Sequence, residues 1–301
     1  MLQRRTDLAV EAKQIWEESA QENTQLQGVE AHESTREGFG VTMVRILDSR
    51  GEQALGKPVG HYVTVDLTGL RQREEDAFGR AVRALAGELA QLLPLQEGDS
   101  ALVVGLGNRA ITPDAVGPKA ADHTMVTRHL VEQVPQHFGH FRPVSALAAG
   151  VLGTTGMESG ELVAAVVGQL HPACVIAVDA LASRSLSRVC RTVQIADTGI
   201  VPGAGVGNAR AALNRETLGV PVIAVGVPTV VDAATLAADL LSEAGQEDLD
   251  PAALAGSGEG VIVTPREIDT DVADLAKVIG YGINLALQPG LRVEDVELFM
   301  S

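Results

Sequence analysis

Apolar and polar residues alternate along Val41–Leu47 and again along His61–Leu67, with Gly-rich turn sequence between them. A period of two predicts a half-buried pair of β-strands. From Arg71 to Leu93 the period changes: Phe78, Val82, Leu85, Leu89 and Leu92 recur at steps of three and four. That spacing predicts an amphipathic helix, closed by Pro94. Short continuous apolar runs follow at Ala101–Val104, Pro143–Ala149, Cys174–Val178 and Pro221–Val225. Between and after them, helical patterns cover residues 115–134, Glu158–Leu170 and Thr229–Leu241. Apolar strands interleaved with helices predict a sheet covered on both faces. Thr264-Pro265-Arg266-Glu267 has the form of a capping box, opening a helix that runs to Leu287 and stops at Pro289-Gly290.

Two stretches fall outside this pattern. Leu8–Ala20 permits one short helix, but Gln21–Gly40 carries almost nothing apolar, so residues 8–40 read as a polar N-terminal arm, a lead-in and not a core element. Glu243–Gly260 is acidic and rich in Gly and Ala, and reads as an exposed loop. No repeat and no dividing linker interrupts the rest. The expected architecture is a single α/β domain with a mixed, mostly parallel sheet.

Composition narrows the function. The chain has 301 residues, a formal net charge of -16, 3% aromatics and 32 Gly. A surface this acidic repels phosphate backbones, so direct nucleic-acid binding is not expected. The basic pair Arg4-Arg5 has no apolar segment behind it, and no apolar run reaches the length of a membrane span, so the expected location is cytoplasmic. Cys174 and Cys190 are too few for a disulfide framework or a zinc site.

Ligands of open α/β sheets bind beyond the carboxyl ends of the parallel strands. Two such ends carry an aspartate. One run, Gly105 to Lys119, leaves its strand through Gly105 and Gly107 and brings Asp114 to the start of the next helix. The other ends an apolar run on Asp179. Asp114 is either a helix cap or a chemical group, and Asp179 either anchors a loop or does chemistry. Gly105-Leu106-Gly107 is a weak dinucleotide fingerprint, because position 110 is Ala and no acidic strand end follows at the required distance. All seven histidines precede Asp179, which excludes the α/β-hydrolase order with His last. Cys190, beside Arg188 and Arg191, has no motif around it.

Around these aspartates the sequence resembles the germination proteases of spore-forming bacteria, which degrade small acid-soluble spore proteins. The resemblance rests on Arg5-Thr6-Asp7-Leu8-Ala9-Val10-Glu11-Ala12, Val103-Val104-Gly105-Leu106-Gly107-Asn108, and Thr112-Pro113-Asp114-Ala115 leading to Gly117-Pro118-Lys119. It continues through Phe141-Arg142-Pro143-Val144-Ser145-Ala146, Asp179-Ala180-Leu181-Ala182-Ser183-Arg184 and Asp197-Thr198-Gly199-Ile200. Two further strings are Pro202-Gly203-Ala204-Gly205-Val206-Gly207-Asn208 and Pro228-Thr229-Val230-Val231-Asp232-Ala233.

The resemblance implies an endopeptidase made as a zymogen, with a three-layer phosphorylase/hydrolase-like fold similar to that of hydrogenase-maturation proteases. It implies Asp114 and Asp179 as catalytic residues, and a propeptide of residues 1–7 cut between Asp7 and Leu8. The loops holding Gly105, Gly107, Asn108, Thr112, Pro113, Gly117, Arg184, Gly203, Gly205 and Gly207 would support the site, with Pro202–Asn208 either a flap or a plain turn cluster. It also implies a homotetramer in the forespore or spore core, small acid-soluble spore proteins as substrate, and no cofactor. The alternatives are a metal-dependent maturation-type endopeptidase and a non-catalytic binding protein on the same scaffold. The nickel set of the maturation enzymes uses a histidine downstream of the second carboxylate, and none occurs after His171. The chain departs from the family in the short stretch between Leu241 and Val261, where relatives often carry a long charged insertion.

Overall fold

A computed structural model describes residues 6–19, 26–204, 207, 210–243 and 261–301. Nine strands form one mixed sheet: β1 (Val29–Arg36), β2 (Phe39–Ile46), β3 (Gly60–Asp66), β4 (Ala101–Leu106), β5 (Val144–Gly150), β6 (Cys174–Ser183), β7 (Thr192–Ala196), β8 (Val222–Asp232) and β9 (Ile262–Val263). The spatial order is β1-β2-β3-β7-β8-β6-β4-β5, with β9 paired to β8. The sheet is mixed as expected, but its parallel part is confined to β8-β6-β4-β5. The β1-β2-β3-β7 half, its junction with β8, and β9 are antiparallel.

Strand residues of odd and even number serve different layers, as the pleat requires. Val103, Ile176, Val178, Ile223, Val225, Val193, Ile195, Val63 and Val65 face one layer, filled by Val82, Leu85 and Leu89 of helix Ala77–Leu92 and by Val272, Leu275 and Ile279 of helix Ile268–Leu287. Leu102, Val104, Val175, Ala177 and Val222 face the other, against Val163 and Val167 of helix Ser159–Leu170. The result is three layers, helix–sheet–helix. Among the described residues no helix is long and apolar enough to cross a membrane.

Polar groups lock the helical layer to the sheet. Asn284, buried in the long helix, accepts from Met125 N–H at 2.8 Å and donates to the His123 carbonyl at 2.9 Å. Asn284→Leu orphans both backbone groups, at about 1–3 kcal/mol each. The expected outcome is a lowered urea midpoint with an unchanged slope; an unchanged midpoint would contradict this role.

Several expected boundaries are corrected. The arm is not a polar lead-in: Leu8 and Ala9 are fully buried, helix Ala9–Ser19 packs on β2, and Val29–Arg36 pairs along its whole length with β2. Arg36 of β1 is ion-paired to the buried Glu88. The Gly-rich turn between β2 and β3 holds helix Ser49–Leu55, with Asp48 as its N-cap. The helix expected over 115–134 breaks into Val116–Asp122, Arg128–Gln133 and Pro135–Phe138. Strand β8 runs through Asp232, so its helix starts at Ala233, not at Thr229. The capping box at Thr264 does not form: that hydroxyl donates to the Thr229 carbonyl instead, and the helix begins at Ile268. A last helix, Val293–Met300, follows the Pro289-Gly290 stop. Residues 244–260, most of the expected acidic loop, lie outside the described residues.

Candidate active site

Strand β4 delivers the chain to the edge of the parallel sheet, where it must reverse into helix Val116–Asp122. Gly107 makes the turn at φ +107°, and a Cβ there would stand 2.1 Å from the Asp114 carbonyl oxygen. The start of the helix is pressed into the sheet by Gly105 and Gly117. A Cβ on Gly105 would lie 2.2 Å from the Gly117 carbonyl oxygen; one on Gly117 would lie 2.2 Å from that of Leu106 and 2.4 Å from that of Val178. Val178 immediately precedes Asp179. The two glycines thus set the distance between the Asp114 turn and the strand that carries Asp179.

Asp114 ends a 3-10 turn, Thr112–Asp114, in which Pro113 is at the start and the Thr112 hydroxyl donates to Asp269 at 2.7 Å. It caps no helix. Its Oδ2 instead accepts the Asn108 N–H at 2.6 Å. Burial raises its pKa, and the Asn108 bond and the charge of Arg210 pull it back. Arg210 is itself ion-paired to Glu158 at 2.8 Å.

Asp179 is only 5% exposed. It anchors no neighbouring loop among the described residues; its Oδ1 accepts from the next N–H, Ala180, at 2.9 Å. Burial holds its pKa well above the ordinary carboxylate value, and the charges of Asp114 and then Asp7 push it in the same direction. The charge of Asp114 thus acts on the buried Asp179 carboxyl and favours its neutral form.

Asp7 completes the cluster. Its N–H donates to the Ala182 carbonyl at 2.9 Å, and its Oδ2 accepts the Ala182 N–H at 2.8 Å. The Leu8 side chain packs with Val10 on Leu181. Thr6 Oγ1 accepts the Leu8 N–H at 3.0 Å and donates to the buried Glu11, which also accepts the N–H groups of Arg184 and Ser185. The Asp7–Leu8 segment is thus docked on β6, at the start of what the sequence suggested was only a polar lead-in.

Arg184 is not brought to the aspartates by any contact of its guanidinium. It joins Asp239 at 2.7 Å to Glu18 at 2.9 Å, on the rim of a cavity of about 650 Å³ lined by Glu11, Gln14 and Ser185. Gly203 and Gly207 both take a positive φ of 75° in the turn whose Pro202 carbonyl accepts from Arg210 N–H. Gly205 lies outside the described residues. Cys174 and Cys190 are buried thiols pushed up to about 12, which removes both as thiolate nucleophiles. Among the described residues no group of three or more His, Cys, Asp or Glu is arranged to hold a metal ion.

Sequence reasoning missed two contributors. Arg210 follows a Gly-rich string and gives no periodic signal. Gln194 lies in β7, a five-residue strand that was not predicted. It is in register with Gly226 of β8, which is in register with Asp179, so the three share one face of the sheet. The only signal was an amide inside the apolar string Thr192-Val193-Gln194-Ile195-Ala196.

Comparison with known proteins shows the family of the chain. The family model described as Germination protease matches residues 9–246. A germination protease of Caldanaerobacter subterraneus subsp. tengcongensis is 44% identical, covering 97% of this chain and 96% of that protein. One from Clostridium perfringens is 43% identical over 99% of both chains, and one from Bacillus cytotoxicus 39% identical over 94% and 93%. With similarity running the length of the chain, from the docked Asp7 segment through both aspartates, the protein belongs to the germination protease family and is an endopeptidase.

Proposed function

We propose that this endopeptidase works by aspartic-type hydrolysis on Asp114 and Asp179, cuts its own Asp7–Leu8 bond as a zymogen, and then degrades small acid-soluble spore proteins in germinating spores. The observation that carries this reading is the buried Asp179 carboxyl, its pKa raised by burial and by Asp114, on the sheet face where Asp7–Leu8 is docked. Asp179 holds the shared proton. Asp114, held by Asn108 N–H and drawn down by Arg210, is the ionised partner. Asp114 takes a proton from water as its oxygen bonds to the scissile carbonyl carbon, and Asp179 protonates the carbonyl oxygen. Collapse of the gem-diol breaks the C–N bond as Asp114 passes its proton to the leaving nitrogen and a gem-diol hydroxyl returns its proton to Asp179. The products are a carboxyl group on Asp7 and an amine on Leu8. A homotetramer in the spore core belongs to the same proposal and rests on the family resemblance.

Asp114→Asn and Asp179→Asn should each abolish the new N-terminus at Leu8 and the cleavage of an added small acid-soluble spore protein, by at least about 10²-fold, while the protein stays folded. Full activity in either variant removes the assignment. Incubation with a chelator should leave both cuts unchanged; their loss would replace aspartic with metal chemistry. Because one carboxyl must be protonated, self-processing should accelerate as pH falls from alkaline into the mildly acidic range. N-terminal mass spectrometry across a pH series reads this, and a flat profile counts against the dyad.

A further inference from the structure

We infer that Gln194 is the carbonyl-polarising and substrate-aligning residue of this enzyme: its side-chain amide grips the backbone on both sides of the bond to be cut. The inference rests on the reading of Asp7–Leu8 as that bond. Gln194 Nε2 donates to the Asp7 carbonyl oxygen at 3.1 Å, and its Oε1 accepts the Ala9 N–H at 2.7 Å. The orientation of the amide is forced, since a carbonyl needs a donor and an N–H needs an acceptor. One side chain therefore spans the residue before the bond and the second residue after it.

Three features separate this from an ordinary buried anchor. The carbonyl that Gln194 touches is the one water must attack. Charge developing on that oxygen is stabilised by a donor already in place, in a site from which water is largely excluded. The neighbouring atoms are also fixed. Leu8 N–H is held by Thr6 Oγ1, and the Asp7 side chain and N–H are both spent on Ala182. Lastly, Gln194 reaches the segment from the sheet face that carries Asp179, in the row Gln194–Gly226–Asp179, where the Leu181 side chain that seats Leu8 lies over Gly226. Gln194 is 7% exposed and both its polar atoms are satisfied by the segment's backbone. Once residues 1–7 leave, its N–H is free to bind the carbonyl of an incoming substrate, and a substrate whose N–H displaces that of Ala9 from Oε1 takes the same two-bond grip. Backbone contacts of this kind are indifferent to side chains, so Gln194 fixes register while Ala182 N–H selects an acceptor side chain before the cut.

The test uses the full chain and two variants of near-equal volume. Gln194→Glu keeps the acceptor for Ala9 N–H and replaces the donor with a carboxylate. Gln194→Met removes both. At neutral pH each should slow appearance of the Leu8 N-terminus by about 10²–10³-fold, the loss typical of one missing donor at a developing oxyanion. As pH falls, the new carboxyl of Gln194→Glu becomes protonated and regains an O–H donor. Its rate relative to wild type should then recover, while that of Gln194→Met stays flat. A loss of packing alone would not produce that acid rescue. Wild-type rates in either variant, or parallel pH profiles for the two, overturn the inference; if Gln194→Glu does not fold, the rate of Gln194→Met decides alone. Failure of the underlying reading looks different: wild-type protein gives no Leu8 end, or Asp179→Asn still gives one.

Discussion

Asp179→Asn should raise the melting temperature of this protein at neutral pH while silencing it as a peptidase. Burial and the Asp114 charge raise the pKa of the folded-state carboxyl well above its ordinary value. Between the unfolded value, about 3.9, and the raised folded one, the folded state therefore holds a proton that the unfolded chain has released. Stability contributed by the neutral carboxyl is full below the unfolded pKa and is lost as pH rises toward the folded one. An amide of the same shape has no proton to lose. The variant's advantage should be several degrees at pH 7, at about 2–4 °C per kcal/mol for a domain of somewhat smaller size, and should vanish near pH 3. Differential scanning calorimetry across that range measures it. A variant that melts lower at pH 7, by an amount that does not change with pH, would show an unstrained Asp179.

The second large effect comes from adding one methyl group. Gly105→Ala places a Cβ 2.2 Å from the Gly117 carbonyl oxygen, and Gly117→Ala places one 2.2 Å from that of Leu106. Both obstacles are backbone, so no rotamer relieves them. The helix Val116–Asp122 must lift away from β4 and β6 and carry the Asp114 turn with it. Overpacking of this kind costs about 1–3 kcal/mol or more, and a shift near 1 Å at a catalytic group costs about 10²-fold in rate. Each variant should melt lower and lose peptidase activity out of proportion to its stability. Gly168→Ala is the control, since nothing lies within 4 Å of its added Cβ. It sits in helix Ser159–Leu170, where Ala is favoured by about 0.5–1 kcal/mol. Wild-type activity in Gly105→Ala would mean that the glycine pair does not set the site.

Strands β4, β6 and β8 of the parallel half were legible because they are buried on both faces and read as continuous apolar runs. Asp179 stood out because it interrupts such a run, although β6 continues past it to Ser183, and Asp114 stood out because two glycines lead from a strand to it. Strand β1 was not legible, since it is an edge strand exposed on nearly every residue and carries no alternation. Strand β7 was too short to show a period. The capping-box motif at Thr264 was misleading because a tertiary partner, the Thr229 carbonyl, takes the hydroxyl that the local motif requires. Gln194 was invisible for the same kind of reason. Its partners are backbone groups of Ala9 and Asp7, 185 and 187 residues away, and no local pattern encodes them.

That separation also sets an order of events during synthesis. Asp7 finds its two bonds on Ala182, 175 positions later in the chain, and its third on Gln194 later still. At about 5–20 residues per second, a ribosome needs on the order of ten seconds or more to supply those partners. Until then the N-terminal segment has no seat, and the β1-β2-β3 meander waits for β7 to join it to the rest of the sheet. The Asp7–Leu8 bond can be gripped only after the strands bearing Asp179 and Gln194 exist, so the wiring of the sheet would hold back the proposed first cut until about two-thirds of the chain has been made.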